Sequence, residues 1–337
     1  LKLRLKPKPL DLEETIVKGL YSTPAYSNTG SISFVKSNVL QSMPVQNVLA
    51  ATQGRAAGVY INTENGLPGG NLTIQIRGPH SLNAGNAPLF LVDGIPFENS
   101  PLNKHTPVLT TGSVGPIHPL SIIPAEEIHS ISFLKDADAT ALYGARSGNG
   151  VVLIQTKNAV REQAGFRVTV KQGFSRINQF TELLNLEQYL AYRREAFDKD
   201  AILPTPSNAP ELLRWDTTNG RNWQKYLFGK WASYTNLHAS FQASHAALTY
   251  RLGVSLHNQG SVSPGDNSYT RGSVHLQLAL HPPKKNWNTK LTLLTAIDQN
   301  RQMAFNATAA LTLPPNIPLF TREGKISWDG FTSNAHP

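Results

Sequence analysis

Residues 133–157, FLKDADATALYGARSGNGVVLIQTK, determine how the rest of this chain is interpreted. Asp136 or Asp138 can cap a short helix of small residues, and Gly144 ends it. The Arg-Ser-Gly-Asn-Gly sequence that follows predicts a tight turn, because glycine and asparagine tolerate positive φ angles. The β-branched run at 151–156 then predicts a short buried strand. This helix, glycine turn and strand carry no pattern typical of catalysis.

The same segment resembles the plug-domain signature of SusC-like TonB-dependent transporters, which are outer-membrane nutrient importers. The departure from the family pattern lies in the turn, where Ser147 and Gly148 replace the usual Gly-Ala order. The resemblance implies an α+β plug domain followed by antiparallel strands of a transmembrane β-barrel. The matching residues are Leu134, Lys135, Asp136, Ala137, Ala139, Thr140, Ala141, Tyr143, Gly144, Arg146, Asn149, Gly150, Val151, Val152, Thr156 and Lys157.

Further landmarks of the plug precede this segment. Residues 30–38 predict a strand, and the stretch 42–61, SMPVQNVLAATQGRAAGVYI, predicts a helix that begins near Ser42 and ends at Gly54. An Ile-Arg-Gly and a Val-Asp-Gly motif mark strand ends further along, and the latter dipeptide favours a turn. From the resemblance we assign a structural role in the plug to Arg77, Gly78, Asp93, Gly94, Asp136, Tyr143, Gly144, Arg146, Asn149 and Gly150.

A short β-prone run lies between a proline-rich spacer and a polar loop near the start of the chain. Such a run suits strand addition to the sheet edge of a partner, although an ordinary edge strand has the same pattern. The run is similar to the TonB box of the family, which implies that periplasmic TonB pairs with it. We therefore assign TonB interaction to Leu12, Glu13, Glu14, Thr15, Ile16 and Val17.

These landmarks divide the chain into four regions. Residues 1–10 alternate leucine with basic residues and predict the end of a truncated N-terminal β extension. Residues 11–29 hold the TonB-box-like segment and a linker, and residues 30–160 form the plug domain. Residues 161–337 are expected to be the first strands and loops of an outer-membrane β-barrel.

Five stretches after residue 160 alternate apolar with polar side chains, near residues 166–178, 237–243, 248–256, 274–280 and 287–297. Each has about the 9 to 11 residues that span a bilayer as a tilted strand. The period alone fits a soluble sandwich equally well, and only the resemblance favours the barrel. Because plugged barrels of outer-membrane transporters have about 22 strands, we expect an incomplete barrel: a piece of a longer protein, or one that another chain completes.

Composition narrows the alternatives. The chain has 337 residues, no cysteine and a formal net charge of +9. Disulfides, thiolate metal sites and a cysteine nucleophile are thereby excluded. No apolar run approaches the length of a membrane helix. The basic residues outside the N-terminus are scattered, which favours solvated surface over nucleic-acid binding.

The sequence contains none of the motifs that would indicate an enzyme, such as a nucleophile elbow, a P-loop or a dinucleotide fingerprint. His238 and His245 are expected on neighbouring strands, where a surface or lumen role is favoured over metal binding. Glu126 and Glu127 are interpreted as charge at a helix start. Arg77 and Arg146 are expected to form buried ion pairs within the plug or contacts with the barrel wall. We therefore expect no catalytic residue, metal or cofactor.

The resemblance implies active, TonB-dependent import of a glycan or peptide across the outer membrane, gated by the plug. The implied partners are TonB, a SusD-like lipoprotein, the substrate and outer-membrane lipid, without nucleic acid. A non-transport receptor or adhesin remains the main alternative, and a secreted carbohydrate-active enzyme is the third. The substrate itself cannot be derived from these residues.

Overall fold

The computed structural model describes residues 15–17, 22–24, 31–43, 47–63, 72–79, 85–97, 119–136, 143–158, 164–245, 247–282, 287–301, 307–320, 324–325 and 327. The strands of the first half are β1 (Thr15–Val17), β2 (Ser22–Pro24), β3 (Ile32–Lys36), β4 (Val59–Thr63), β5 (Leu72–Ile76), β6 (Leu89–Val92), β7 (Ile95–Phe97), β8 (Ile128–Leu134) and β9 (Val151–Thr156). Helix α1 spans Ser37–Ser42, and short 3-10 turns span Ala50–Thr52, Pro119–Ile122, Ala125–Glu127 and Gly144–Ser147.

The second half contains longer strands and a helical connection. Its strands are β10 (Gly165–Ser175), β11 (Ala232–His245), β12 (Leu248–Gly260), β13 (Ser268–Leu280) and β14 (Thr289–Arg301). Helices α2 (Leu186–Lys199), α3 (Pro210–Leu213) and α4 (Trp223–Phe228) lie between β10 and β11, and a 3-10 turn spans Ala307–Thr312. Among the described residues, no helix is long and apolar enough to cross a membrane.

Five of the short strands form one sheet, which we call the mixed sheet, in the order β3-β8-β9-β6-β7. All its pairs are antiparallel except β6 with β9. The central strands β8 and β9 are buried along almost their whole length, as expected for continuous apolar runs. Phe133 and Val152 belong to the larger apolar cluster, and Leu134 and Val151 to a smaller cluster around Leu91. The β4–β5 hairpin adds to the larger cluster through its own buried residues.

Two turns of the mixed sheet follow from glycine chemistry. Asp93 and Gly94 both have positive φ angles, 50° and 86°, and join β6 to β7 as a two-residue hairpin turn. Gly150 has a φ of 88°, and a Cβ atom added there would lie 2.8 Å from the Cδ1 atom of Ile76. A side chain at position 150 would therefore collide with the β4–β5 hairpin as well as strain the backbone.

The long strands form a second sheet, which we call the long sheet, in the order β10-β11-β12-β13-β14. Every neighbouring pair is antiparallel and in continuous register. One face is apolar and exposed: Phe166 is 69% and Ile297 80% accessible. The other face is polar and buried, and includes His238, Arg251 and Gln277. This distribution is the reverse of a soluble sheet and is expected where the apolar face meets lipid.

The structure corrects several boundaries. The strand expected at 30–38 ends at Lys36, and a helix follows immediately over Ser37–Ser42. The helix expected between Ser42 and Gly54 is instead a 3-10 turn at Ala50–Thr52 among the described residues of that stretch. Local propensity misplaced it because burial of Leu40 against the larger cluster, a tertiary contact, stabilises the earlier segment. His238 and His245 lie on the same strand, β11, rather than on neighbouring strands.

The glycine turn follows its prediction at the start and adds a detail. Tyr143 is the last α-helical residue and Gly144 has a φ of 66°, so the α-helix ends there as expected. The turn itself is a 3-10 turn over Gly144–Ser147, with the Ser147 hydroxyl donating to the Gly144 carbonyl over 2.7 Å. Residues 137–142 and the predicted cap Asp138 lie outside the described residues. Strands β11, β12 and β13 exceed the alternating stretches seen in the sequence, because hydrogen bonding continues beyond the apolar residues. Strand β10 ends at Ser175 and β14 begins at Thr289, inside the stretches expected for them.

Candidate functional site

Two adjacent glutamates bridge the two sheets. Glu126 and Glu127 form the 3-10 turn that precedes β8, and both side chains are almost completely buried. The turn directs them away from the mixed sheet and onto the polar face of the long sheet. A buried carboxylate is stable only when it is paired and hydrogen-bonded, and the long sheet supplies both.

Glu127 accepts hydrogen bonds from three strands of the long sheet. The Arg251 guanidinium holds it in a fork, with Nε at 2.8 Å from Oε2 and Nη2 at 3.0 Å from Oε1. The Nε2 atom of His238 lies 3.0 Å from Oε1, and the Nδ1 atom of His275 lies 2.9 Å from Oε2. Ser255 contacts the other ring nitrogen of His238 over 2.7 Å. The two parallel hydrogen bonds from Arg251 fix the orientation of the Glu127 carboxylate and strengthen the ion pair.

Glu126 makes a second, separate contact. Its Oε1 atom accepts from the Lys171 ammonium on β10 over 2.6 Å and from the Asn236 amide on β11 over 3.0 Å. The same ammonium also donates to the Gln41 carbonyl at the end of α1 over 3.0 Å. Lys171 therefore connects the long sheet to two elements of the α+β domain.

Asp93 provides a third contact from the β6–β7 turn. Its carboxylate accepts the Thr156 backbone N–H over 2.8 Å and the Thr156 hydroxyl over 2.6 Å. The Lys290 ammonium on β14 donates to Asp93 over 2.9 Å and to Asn158 over 3.1 Å. All three contacts have the same polarity, because the α+β domain provides the carboxylates and the long sheet provides the cations.

The partners of these carboxylates keep them ionised. Burial alone would raise the pKa of Glu127, but hydrogen bonds from His238, His275 and Arg251 outweigh it and hold the pKa far below its usual range. The pKa of Glu126 is likewise lowered, because Lys171 outweighs the opposing effect of burial. In Asp93, hydrogen bonds from Thr156 and Lys290 lower the pKa against the same opposing effect.

A cavity of about 410 Å³ lies among the segments that join β10 to β11 and the segment that follows β14. It is lined by the starts of α2 and α4 and by residues 311–315. Two hydrogen bonds hold this region together: the Trp223 indole donates to the Pro314 carbonyl over 3.1 Å, and the Arg221 N–H donates to the Pro315 carbonyl over 2.8 Å. Leucine side chains dominate its lining, so it offers an apolar surface.

Known proteins are similar to this chain in sequence and in fold. The TonB-dependent Receptor Plug Domain family matches residues 24–151. The TonB-dependent receptor SusC of Bacteroides thetaiotaomicron is 27% identical over 95% of this chain, and receptor P26 of Formosa agariphila is 29% identical over 95%. The structure of the RagAB peptide importer in its open-open state is 25% identical, with a TM-score of 0.73 over 93% of this chain and 36% of that one.

The chain is similar to SusC-like TonB-dependent transporters over nearly its whole length, and residues 24–151 match the plug domain of TonB-dependent receptors. The α+β domain is the plug, and the long sheet is part of the wall of an outer-membrane β-barrel. The chain spans about 30% of the length of the curated relatives SusC and P26. Their family is not enzymatic. In this arrangement the polar face of the wall points into the lumen, and the three plug carboxylates dock on it.

The predicted plug residues make different contacts within the plug, and Arg77, Gly78 and Asp136 lie together. Arg77, which has a φ of 61°, pairs with Asp136, whose carboxylate also accepts the Ser31 N–H over 2.6 Å. This ion pair lies within the plug, as one of our two alternatives held, but it is about half exposed rather than buried. Asp136 thus secures the start of β3. Gly78, with a φ of 85°, completes the strained turn.

Arg146 does not form the buried ion pair within the plug that was one of our two alternatives. Its side chain is exposed and forms no ion pair with any residue that the structure describes, and a contact with the barrel wall stays a prediction. Asn149 donates to the carbonyls of Gly85 and Ala87 over 3.2 and 3.3 Å, which fixes the strand leading into β6. Tyr143 is half-buried against the smaller apolar cluster. Asn149 and Tyr143 thus make contacts within the plug, and the wall contacts described above come from Asp93, Glu126 and Glu127.

The predicted TonB-interacting segment is partly described. Leu12, Glu13 and Glu14 lie outside the described residues. Thr15–Val17 forms β1, which pairs antiparallel with β2, Ile16 lying opposite Thr23. The segment is therefore extended, as strand addition would require, and its first partner is the chain itself. Its interaction with TonB stays a prediction.

Sequence reasoning missed the glutamate pair. We attributed Glu126 and Glu127 to a helix start, yet their partners lie 45 to 148 positions later in the chain. One signal in the sequence could have indicated these contacts. Charged and histidine side chains occur on the polar face of the alternating strands, where they can pair with charged groups of a domain that fills the lumen. Within the described part of the chain, no group of three or more acidic, histidine or cysteine residues has an arrangement suited to a metal ion.

Proposed function

We propose that this chain is the gating part of an active importer that carries a nutrient across the outer membrane. The observation that supports this most directly is the docking of three ionised plug carboxylates on the lumenal face of a wall whose outer face is apolar. Such a domain blocks the lumen until a force displaces it. By analogy with its family, that force comes from TonB.

The substrate class is a glycan or a peptide. The chain resembles the structure of the RagAB peptide importer, which supports a peptide, and the resemblance to the SusC-like family supports a glycan as well. The partners in this proposal are TonB at residues 12–17 and a SusD-like lipoprotein above the barrel. The apolar cavity among the outer connections gives such a partner, or the substrate, a surface to contact.

Coupling to TonB is tested in the complete protein with Ile16→Pro, which removes one main-chain donor from the β1 ladder. Cells receive a mixed glycan and peptide pool, and the compounds that accumulate in the periplasm are identified by mass spectrometry. We expect Ile16→Pro to abolish accumulation while substrate binding stays intact, and Ile16→Val to behave as the wild type. Because Val keeps the backbone donor and favours strands, it is the matched control.

Two outcomes would contradict the proposal. Undiminished accumulation with Ile16→Pro would refute TonB pairing at this strand. Binding of pool components by the wild type without any accumulation that depends on the proton gradient would instead identify a receptor or adhesin. The same pool decides between glycan and peptide.

A further inference from the structure

The lumenal face of the wall carries an excess of positive charge. The strand register assigns five basic side chains but only one acidic side chain to this face of β10–β14. The basic residues are Arg167, Lys171, Arg251, Arg271 and Lys290, and the acidic residue is Asp298. A lumen of one predominant sign attracts molecules of the opposite sign.

Most of this charge is neutralised in the closed state. The three plug carboxylates described above pair with three of the cations, and Asp298 pairs with Arg271 over 2.6 Å. Arg167 is left over. It lies opposite Ser240 on β11, and it has no acidic partner among the residues that the structure describes.

Arg167 faces a second basic residue across a cavity. The cavity has a volume of about 330 Å³ and lies between the plug and the wall, near the short turn that joins β11 to β12. Lys157 lines it from the plug side, and no carboxylate pairs with its ammonium group in the described part of the chain. Burial and the positive charges of Arg251 and Arg167 lower the pKa of Lys157, and the carboxylates of Glu127 and Glu126 oppose this shift only in part. Three positively charged side chains, Lys157, Arg167 and Arg251, line the same cavity.

The remaining lining of this cavity is suited to an anion. His129 and Asn158 contribute from the plug, and Ser240 and Gln242 from β11. Guanidinium and ammonium groups together bind carboxylate, sulfate and phosphate oxygens through charge-assisted hydrogen bonds. No acidic side chain lines the cavity among the described residues.

We propose that the cavity between Lys157 and Arg167 binds an acidic group of the substrate, and that this importer therefore carries anionic cargo such as an acidic peptide or a sulfated or uronate glycan. The proposal rests on the import function given above. The wall cations fit it as well: when the plug carboxylates leave, Lys171, Arg251 and Lys290 become accessible in the lumen, where they can pair with acidic groups of a passing substrate.

The site is tested by titration of the complete protein in detergent, where both ends of the barrel are accessible. Reductive methylation with ¹³C-formaldehyde labels lysines and keeps their charge, and a Lys157→Arg variant assigns the Lys157 signal in the NMR spectrum. The probes are inorganic sulfate, inorganic phosphate, a hexaglutamate and a hexaglutamine peptide, and a sulfated disaccharide with its desulfated form. Chloride maintains constant ionic strength.

We expect the Lys157 signal to shift saturably with hexaglutamate or with the sulfated disaccharide, and not with their neutral counterparts. Arg167→Gln should weaken this binding about tenfold, because it removes one charge-assisted partner. Arg194→Gln removes the same charge from the exposed face of α2 and should leave the binding unchanged.

Two results would overturn the assignment. If no anionic probe shifts the signal, the cavity is not an anion site. If sulfate or phosphate binds while both acidic substrate analogues fail, the site takes an inorganic anion and the substrate assignment is wrong. The titration uses neither TonB nor a proton gradient, so its failure leaves the import test unaffected, and failure of the import test leaves the binding result unaffected.

Discussion

At the scale of single residues, Glu127 makes the most concentrated contact between plug and wall. Its side chain is fully buried, and its partners Arg251, His238 and His275 come from three successive strands. Removing one partner from such a buried pair leaves an uncompensated charge, which costs more than the pair itself contributes. The position therefore controls how firmly the plug is seated.

We expect Glu127→Ala to destabilise the seated plug by about 3–5 kcal/mol, because it leaves the Arg251 charge buried without a partner. The measurement is the denaturant-induced unfolding of the plug in the complete protein. Glu195→Ala is the matched control: it breaks the exposed pair with Lys199, in which both side chains are mostly accessible. Exposed helix pairs contribute little, so the control should unfold as the wild type does. Equal effects of the two substitutions would contradict this role of Glu127.

The lowered pKa of Glu127 gives a pH dependence with a definite sign. The unfolded carboxyl titrates near its ordinary value of 4.5, and the folded one titrates well below it. The unfolded state therefore binds more protons in this window, so stability is fully present above pH 4.5 and falls as the pH drops towards the folded pKa. In unfolding curves between pH 3 and 7, Glu127→Gln should flatten this acid-side slope. An unchanged slope would show that other carboxylates cause it.

At the scale of elements, the sequence predicts the long strands, but it does not predict the contacts that hold the plug on the wall. The alternation of apolar and polar side chains along a strand is a local property, so the sequence alone predicts the five wall strands. The Asp93-Gly94 dipeptide likewise predicts its hairpin turn without information from elsewhere in the chain. The placement of α1 before Ser42 and the contacts of Glu126 depend on residues far away in the chain. A short stretch of sequence around α1 or Glu126 therefore does not contain the residues that determine these placements.

The position of β3 predicts which part of the plug opens first. It is an edge strand of five residues that pairs only with β8, whereas β8 and β9 are buried between neighbours. We expect its backbone amides to exchange with deuterium before those of β8 and β9, because edge strands open at lower free energy. Hydrogen-exchange mass spectrometry of the complete protein measures this order. Slower exchange in β3 than in β8 would contradict it.

At the scale of the whole molecule, the account depends on charge complementarity between two bodies. The plug offers Asp93, Glu126 and Glu127, and the wall offers cations and imidazoles on the face that points away from lipid. Ion pairs suit an interface that must separate, since water and substrate can satisfy each side after separation, whereas separating a large apolar interface exposes surface that remains costly.

The most direct test of this seating is a disulfide between plug and wall in the complete protein. A Cβ atom added at Gly253 on β12 would lie 3.4 Å from the Glu127 Cγ atom. The sulfur of Glu127→Cys takes the place of that Cγ atom, so two cysteines at these positions would lie within reach of each other, and this chain has no cysteine of its own. We expect the pair Glu127→Cys and Gly253→Cys to cross-link on oxidation in outer membranes, so that fragments cleaved between the two positions stay joined until reduced. Gly272→Cys, at a glycine of the same sheet with nothing within 4 Å of the added atom, should give no cross-link with Glu127→Cys. The Lys171–Glu126 and Lys290–Asp93 pairs remain in both double variants and still hold the plug on the wall. Absence of the first cross-link, or equal cross-linking at both positions, would therefore contradict the docking of the plug on the lumenal face of this wall.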